Sequence, residues 1–202
     1  MKKLWILLLF VSPLIWAQEE DDEVLVDMEK MGKEIGLDGY FSVGTNGGNF
    51  TLGLKLALLP AGDSTFAYGP SFRMMRAYSN LYGNSASYDI FGAGAFLHVR
   101  LFQYLFIGGE LEFLNSPYFA INTGKPDKHW ITTLFLGGGY SQSFLENRFR
   151  VNLGIYYDVV NNLNSPYRAT YHPKKVGPNG QNGALIPILY RVSLFIPLGR
   201  RG

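Results

Sequence analysis

Glu110 and Glu112 stand two residues apart in an otherwise apolar run. On a β-strand, residues i and i+2 share a face, so the two carboxylates would lie side by side, an arrangement that acid/base chemistry can use. His98 and Arg100 repeat the same spacing a few residues earlier, and Lys55, Arg73, Arg148, Arg150, Asp158 and Arg191 are likewise set singly among apolar or small residues. Charges placed this way must either pair with one another or meet solvent, because an unpaired buried charge is expensive. The three histidines are His98, His129 and His172. The last two fall in loops or at rims without acids at ligand spacing, so no metal centre is expected. There is no Gly-x-Ser-x-Gly run, and no serine–histidine constellation accompanies the glutamates, so no catalytic residues and no cofactor are expected. A second group is basic and aromatic: Tyr167, Arg168, Tyr171, His172, Lys174 and Lys175, within the long irregular stretch 161–184. Long loops on rigid scaffolds often carry function, and this one could meet phosphates, sugars or a protein surface. Its Gly, Pro and Asn content also suits a solvated loop.

The elements that position these residues are strands. From Tyr88 to Leu101 every second residue is apolar on one face: Phe91, Ala93, Ala95, Leu97, Val99 and Leu101. The other face holds Tyr88, Ile90, Gly92, Gly94, Phe96, His98 and Arg100. Period-two alternation is the signature of a strand, and an apolar face over a polar, glycine-rich one is the pattern of a membrane barrel wall. The spacing predicts eight such strands, over about 38–46, 49–59, 65–79, 88–101, 104–114, 130–144, 148–160 and 185–198. Most reach the ~9–11 residues that a tilted membrane strand requires. The connections near 60–64, 102–103 and 145–147 are short. Those near 80–87, 115–129 and 161–184 are longer, and outer-membrane barrels sort their turns in this way. Only the tight first connection departs from the sorting. Aromatics gather at two predicted rims, where amphipathic rings favour a membrane interface. Tyr40, Phe41, Phe66, Tyr68, Phe102, Tyr104, Phe144 and Phe149 fall at one, and Tyr78, Tyr82, Tyr88, Phe113, Tyr118, Trp130, Tyr156 and Tyr157 at the other.

The chain opens as an export signal over 1–17: Lys2 and Lys3, an apolar run Leu4 to Val11, Pro13, and Ala17 at the expected cut. Residues 18–37 read as an acidic periplasmic tail and short helix, with the block Glu19 to Glu23 and then Val24, Met28, Met31 and Ile35 at helical spacing. The barrel is expected over 38–198, with a short C-terminal tail at 199–202. The formal charge of +2 comes from Lys2 and Lys3, so the mature chain is neutral and has no basic stripe for nucleic acid. No cysteine is present, which excludes disulfides and a lipid-modified cysteine.

The chain resembles the small eight-stranded outer-membrane barrels of the OmpA and OmpX type, over roughly 38–198. Gly137-Gly138-Gly139-Tyr140, Tyr157-Asp158-Val159-Val160 and Asn164-Ser165-Pro166-Tyr167 also resemble runs in short, uncharacterised barrel proteins of Gram-negative bacteria. The resemblance implies an all-β up-and-down transmembrane barrel in the cell outer membrane, in contact with outer-membrane lipid and built by the barrel assembly machinery. The C-terminus, Ile196-Pro197-Leu198-Gly199-Arg200-Arg201-Gly202, lacks the terminal aromatic that such machinery often reads. Parity then turns Lys55, Arg73, His98, Arg100, Glu110, Glu112, Arg148, Arg150, Asp158 and Arg191 toward the lumen, and puts Arg76 on the opposite parity near the outer end. An eight-stranded barrel is just wide enough for side chains to fill it, so these charges are expected to form a salt-bridge plug. Basic residues outnumber acidic ones in this set, which favours an anion if the lumen conducts. The expectation is a monomeric barrel with a structural or surface-interaction role. A narrow anion-preferring channel and a lipid- or peptide-modifying enzyme are the alternatives.

Overall fold

The computed structural model describes residues 31–44, 47–60, 65–81, 84–102, 104–119, 126–145, 147–176 and 181–198. The export signal, the acidic block and the C-terminal tail lie outside the described residues.

The alternating segments form strands β1 (Gly32–Gly44), β2 (Gly47–Leu59), β3 (Phe66–Leu81), β4 (Asn84–Leu101), β5 (Leu105–Phe119), β6 (Pro126–Phe144), β7 (Phe149–Asp158) and β10 (Ile188–Leu198). These eight close into one antiparallel barrel in the order β1-β10-β7-β6-β5-β4-β3-β2. Closure pairs β1 with both β2 and β10, so none of the eight barrel strands is an edge strand. Between β7 and β10 the chain makes a 3-10 turn (Pro166–Thr170) and a separate hairpin of β8 (His172–Val176) and β9 (Gln181–Ile186). The fold is the expected eight-stranded up-and-down barrel.

Its polarity is inverted relative to a water-soluble barrel. On β4, Phe91, Ala93, Ala95 and Leu97 are exposed outside while Phe96, His98 and Arg100 are buried inside. Leu52, Leu54, Leu56, Ile107, Leu153, Ile155 and Val192 are exposed on other strands, and the buried set includes Asp38, Lys55, Arg73, Glu110, Glu112 and Arg191. Water would drive the opposite arrangement, and a continuous apolar belt on this scale requires an apolar surrounding. No helix among the described residues is long and apolar enough to cross a membrane; the strands are the elements that could.

Several expectations about boundaries are corrected. The barrel begins at Gly32, not Asp38. Helical spacing at Met31 and Ile35 is overridden because 33–39 finds partners on both sides, in β10 and in β2. This moves Tyr40 and Phe41 up the wall, away from the rim where β1 begins. Predicted loops 80–87 and 115–129 are largely strand: β3 and β4 pair as far as Leu81–Asn84, and β5 and β6 as far as Phe119–Pro126. Polar residues there do not stop a backbone ladder, since ladder bonds need only peptide groups. Leu185 and Ile186 belong to β9, and Pro187 separates them from β10. Tyr156 is no rim residue; it is 1% exposed, inside the barrel.

The expected sorting of loop lengths fails, because at the end reached by β1 and β3 Gly44 pairs with Gly47 and Leu81 with Asn84, each pair only two residues short of meeting in sequence. The opposite end carries the turns after β2, β4 and β6. There Phe102 and Leu145 (φ 49° each) and Asn147 (φ 67°) take left-handed conformations, the geometry that lets a short turn follow the strand twist. Stacked Tyr104–Tyr140 and Phe144–Phe149 pairs ring that end. At the other, the loop end, the segment after Asp158 folds back into the barrel.

Candidate functional site: the charged lumen

At the centre of the lumen three cations meet three carboxylates. Lys55 Nζ donates to Glu110 Oε1 at 2.6 Å and lies 3.3 Å from Asp38 Oδ2. Arg73 grips Asp38 with two parallel bonds, Nη1 to Oδ1 at 2.8 Å and Nη2 to Oδ2 at 2.9 Å. Its Nη2 also reaches Glu112 Oε1 at 2.8 Å. Arg191 Nη1 bridges the two glutamates, 3.0 Å from Glu112 Oε1 and in direct contact with Glu110 Oε2. Bidentate arginine–carboxylate bonds of this kind are the strong, geometrically specific ones. All six side chains are no more than 3% exposed. A Cβ at Gly53 would sit 1.6 Å from Asp38 Oδ1, so glycine there makes room for the Asp38–Arg73 pair.

His98 lies beneath the cluster on the side of the turns after β2, β4 and β6, its Nε2 3.1 Å from Glu110 Oε1 and 3.3 Å from the Tyr156 hydroxyl. The rings of Phe96, Phe106 and Phe195 surround it at 5.1–6.0 Å. Gly108 faces it across β5, where a Cβ would lie 2.5 Å from the imidazole. Nearer the mouth, Arg100 pairs with Glu34. Below them opens a polar cavity of about 610 Å³ lined by Thr65, Arg100, Tyr104, Gln142, Ser143 and Arg150, among others.

The upper side of the cluster is closed by the loop. Tyr167 is 0% exposed, and its hydroxyl donates to Glu112 Oε2 at 2.7 Å. Its ring meets Phe135 edge-on at 5.1 Å, and the Arg191 guanidinium lies 4.5 Å from the Phe135 ring. Local chemistry sets this entry. Ser165 caps the 3-10 turn by accepting from Tyr167 N, Pro166 starts it, and Ser116 on β5 donates to the Asn164 carbonyl at 3.3 Å. Asp158 ends β7 by accepting from the Val160 and Asn161 amides, and its other oxygen takes the Tyr171 hydroxyl at 2.6 Å. Tyr167 and Tyr171 thereby join one buried cluster with Met75, Ile90, Leu114, Ile131 and Leu189. Burial, and the Glu112 carboxylate beside it, push the Tyr167 phenol well above its ordinary pKa. Burial and the Asp158 bond do the same to Tyr171.

The sequence-derived set is therefore redistributed. Lys55, Arg73, His98, Glu110, Glu112 and Arg191 are brought together. Arg100 and Arg150 stand at the mouth, Arg150 donating to Ser141 Oγ at 3.1 Å. Arg148, expected in the lumen, is exposed in the β6–β7 turn because β7 begins only at Phe149. Asp158 has inward parity but serves Tyr171 and the loop backbone. Tyr167 and Tyr171, expected on the outer loop surface, are inside, while Arg168 stays half-buried and donates to Asn161 Oδ1 at 3.0 Å. His172, Lys174 and Lys175 lie on β8, and their side chains are outside the described residues.

Sequence reasoning missed Asp38 and Glu34, which were assigned to a strand start and a helix. Both share the parity of Gly36 and Tyr40 along β1, and extending the alternation backward would have found them. With them counted, the excess of basic lumen residues disappears: the central cluster balances three against three, and Arg100 has Glu34. Among the described residues no group of three or more His, Asp or Glu is placed to hold a metal ion.

Comparison with known proteins adds one likeness. No family model and no curated protein matches the chain. Among solved structures it is similar to the Yersinia pestis outer membrane protein Ail, whose backbone was determined in a phospholipid bilayer nanodisc. The identity is 12%, the TM-score 0.44, and the alignment covers 83% of this chain and 99% of that one.

Proposed function

We propose that this chain is a non-conducting barrel of a bacterial outer membrane, with the end that holds Gly32 and Leu198 toward the periplasm and the end that carries the segment after Asp158 outward. Its role would be structural, or one of surface interaction through the residues beyond β7. The observation that carries the closed lumen is the Tyr167–Glu112–Arg191–Glu110–Lys55 chain, which crosses the bore and joins the loop to three strands. A mobile ion entering this region would have to displace charge-assisted bonds in a low-dielectric interior, where each displaced partner becomes an uncompensated charge. The same bonds argue against catalysis by Glu110 and Glu112. A general acid or base must reach a substrate, and the oxygens of these two carboxylates are already taken by Lys55, Arg73, Arg191 and Tyr167.

Planar-bilayer recording on the pure protein tests this reading. Insertion without discrete current steps is the expected result, and reproducible anion-selective steps would replace it with the narrow-channel reading. Mild proteolysis of intact cells tests sidedness: cutting within 159–187 is expected from outside, and protection there would reverse the orientation.

A further inference from the structure

The closing seam of the barrel is shorter than the strands that form it. Among the described residues β1 pairs with β10 from Lys33↔Leu198 up to Gly39↔Val192 and no further. Above that point each strand goes on with its other neighbour, β1 with β2 as far as Gly44↔Gly47 and β10 with β7 as far as Ile188↔Tyr157. The two strands part above Gly39, and a recess of about 450 Å³ opens there, lined by Gly39, Tyr40, Phe41, Phe50, Tyr190 and Val192. Phe41, Phe50, Tyr190 and Val192 are exposed on the outer wall. Tyr40 has the opposite parity and packs, half-buried, against the interior cluster. The recess therefore runs from the outer wall through the seam to an inner side chain. Gly39 lies seven residues above Gly32, ~23 Å along a strand. At the usual strand tilt this is a height of roughly 18 Å, in the outer half of an apolar belt ~25 Å tall.

Behind Tyr40 stand two polar residues of β2. Thr51 is opposite Tyr40 in register, and Asn49 is one step of two residues higher on the same face. They are 1% and 3% exposed, and neither the Thr51 hydroxyl nor the Asn49 carboxamide has a hydrogen-bond partner. Buried polar groups without partners are costly, so this pair calls for one. Asp38, the nearest member of the charged cluster along β1, is already held by Arg73 and Lys55.

We propose that the parted seam is a lateral binding site for one uncharged single-chain amphiphile from the outer leaflet, in chemistry a long-chain alcohol or primary amide. This rests on the membrane-barrel reading given above. The chain lies in the recess against Phe41, Phe50, Tyr190 and Val192 and runs down the wall past Leu37. The head passes Tyr40 and bonds the Thr51 hydroxyl and the Asn49 carboxamide. It carries both a donor and an acceptor, because the carboxamide offers N–H groups and a carbonyl and the hydroxyl can act either way. It is neutral, because the six charges of the cluster are matched three against three and a further charge would be buried without a partner. The recess has the size of a site for a single small molecule. The cluster closes the bore beneath it, so the site holds its ligand without passing it to the periplasm.

The test places a reporter beside the recess. In the full chain with W5F, W16F and W130F, L37W carries the only tryptophan, about 7 Å below Gly39 on the outer face. The chain with W5F and W16F alone keeps Trp130, on β6, as the reference. Each protein is reconstituted into phosphatidylcholine vesicles, and co-flotation is checked first. An undecanol, an undecane and an undecyltrimethylammonium salt, each brominated at the chain end, are then titrated in. The expected result is saturable quenching of the L37W reporter by the alcohol, half-complete at a membrane fraction roughly ten-fold lower than for the other two, as one or two net hydrogen bonds imply. Trp130 should show no saturable component. N49L/T51V removes both unpartnered polar groups and should erase the advantage of the alcohol without loss of heat resistance. In G39L the new Cβ meets only the Thr51 carbonyl, at 3.9 Å, so the wall accepts a side chain that fills the recess, and saturable quenching should vanish. Quenching that rises in proportion to all three probes alike, an advantage for the cation, or an advantage for the alcohol that survives N49L/T51V or G39L overturns the proposal while leaving the barrel in place. Failure to float with the vesicles overturns the membrane reading and this proposal together.

Discussion

Two arginine–carboxylate pairs in this barrel share chemistry and differ in everything else. Arg73–Asp38 is bidentate at 2.8 and 2.9 Å, nearly inaccessible, and embedded in a network of six charges. Arg76–Asp89, three residues away on the same strand, is a single contact at 3.8 Å with both partners open. An odd step along a strand changes face, so three residues suffice to carry a guanidinium from a filled lumen to the outer wall. Inside, desolvation makes each charge depend on its partners. Outside, solvent does most of that work.

The largest contrast should come from removing one inner carboxylate. Glu110→Gln leaves Lys55 and Arg191 without their shared partner and should cost about 3–5 kcal/mol in unfolding free energy, read from the urea midpoint of vesicle-inserted protein. A loss no larger than that of Asp89→Asn would erase the distinction between the two environments. Gly53→Ala should be damaging through geometry alone, because the new Cβ overlaps Asp38 Oδ1. A cost of about 1–3 kcal/mol is expected for overpacking, and it should shrink toward zero when Gly53→Ala is made in an Asp38→Ala background, where the overlap with Oδ1 is gone. Full additivity of the two changes would refute the mechanism.

Tyr167→Phe removes the hydroxyl that donates to Glu112 and accepts from Arg191, and should cost about 1–2 kcal/mol. Its more telling effect is faster proteolytic cutting between β7 and β10 with the barrel still resistant, and unchanged cutting would mean the tyrosine does not hold the loop. Alkaline pH sharpens the same point. Tyr171 has its phenol pKa raised by burial and by Asp158, above the ~10 of an unfolded tyrosine. The stabilisation it provides is complete below pH 10 and is lost as pH rises through the folded value. The loop of wild type should therefore become protease-sensitive in the alkaline range, and Tyr171→Phe should remove that component. The smallest effect belongs to the outer pair. Asp89→Asn should change stability by less than about 1 kcal/mol, and 1 M salt, which shortens the screening length to ~3 Å, should abolish even that while sparing the difference made by Glu110→Gln.

Parity was legible over most of the wall because a strand has only two faces and the two here meet opposite media. The opposed placement of Arg73 and Arg76, and the shared lumen position of His98, Glu110 and Glu112, follow from counting by two. The count fails where periodicity is ambiguous or absent. At Glu34 and Asp38 a competing helical spacing masked the strand. At Arg148 the turn had already released the chain from alternation. Strand ends were misjudged in 80–87 and 115–129 because pairing of one backbone with its neighbour leaves little trace in polar side chains.

The sequence by itself determined the class of wall, the number of strands and the facing of most charges, since these depend on local alternation between two surroundings. Only the tertiary structure decided which charges meet. Register and barrel closure bring Lys55, Glu110 and Arg191 together from three distant strands, and packing turns the 161–171 segment inward so that Tyr167 and Tyr171 become part of the interior. Those contacts join residues 13 to 81 positions apart in the chain, and no local pattern encodes a distance of that kind.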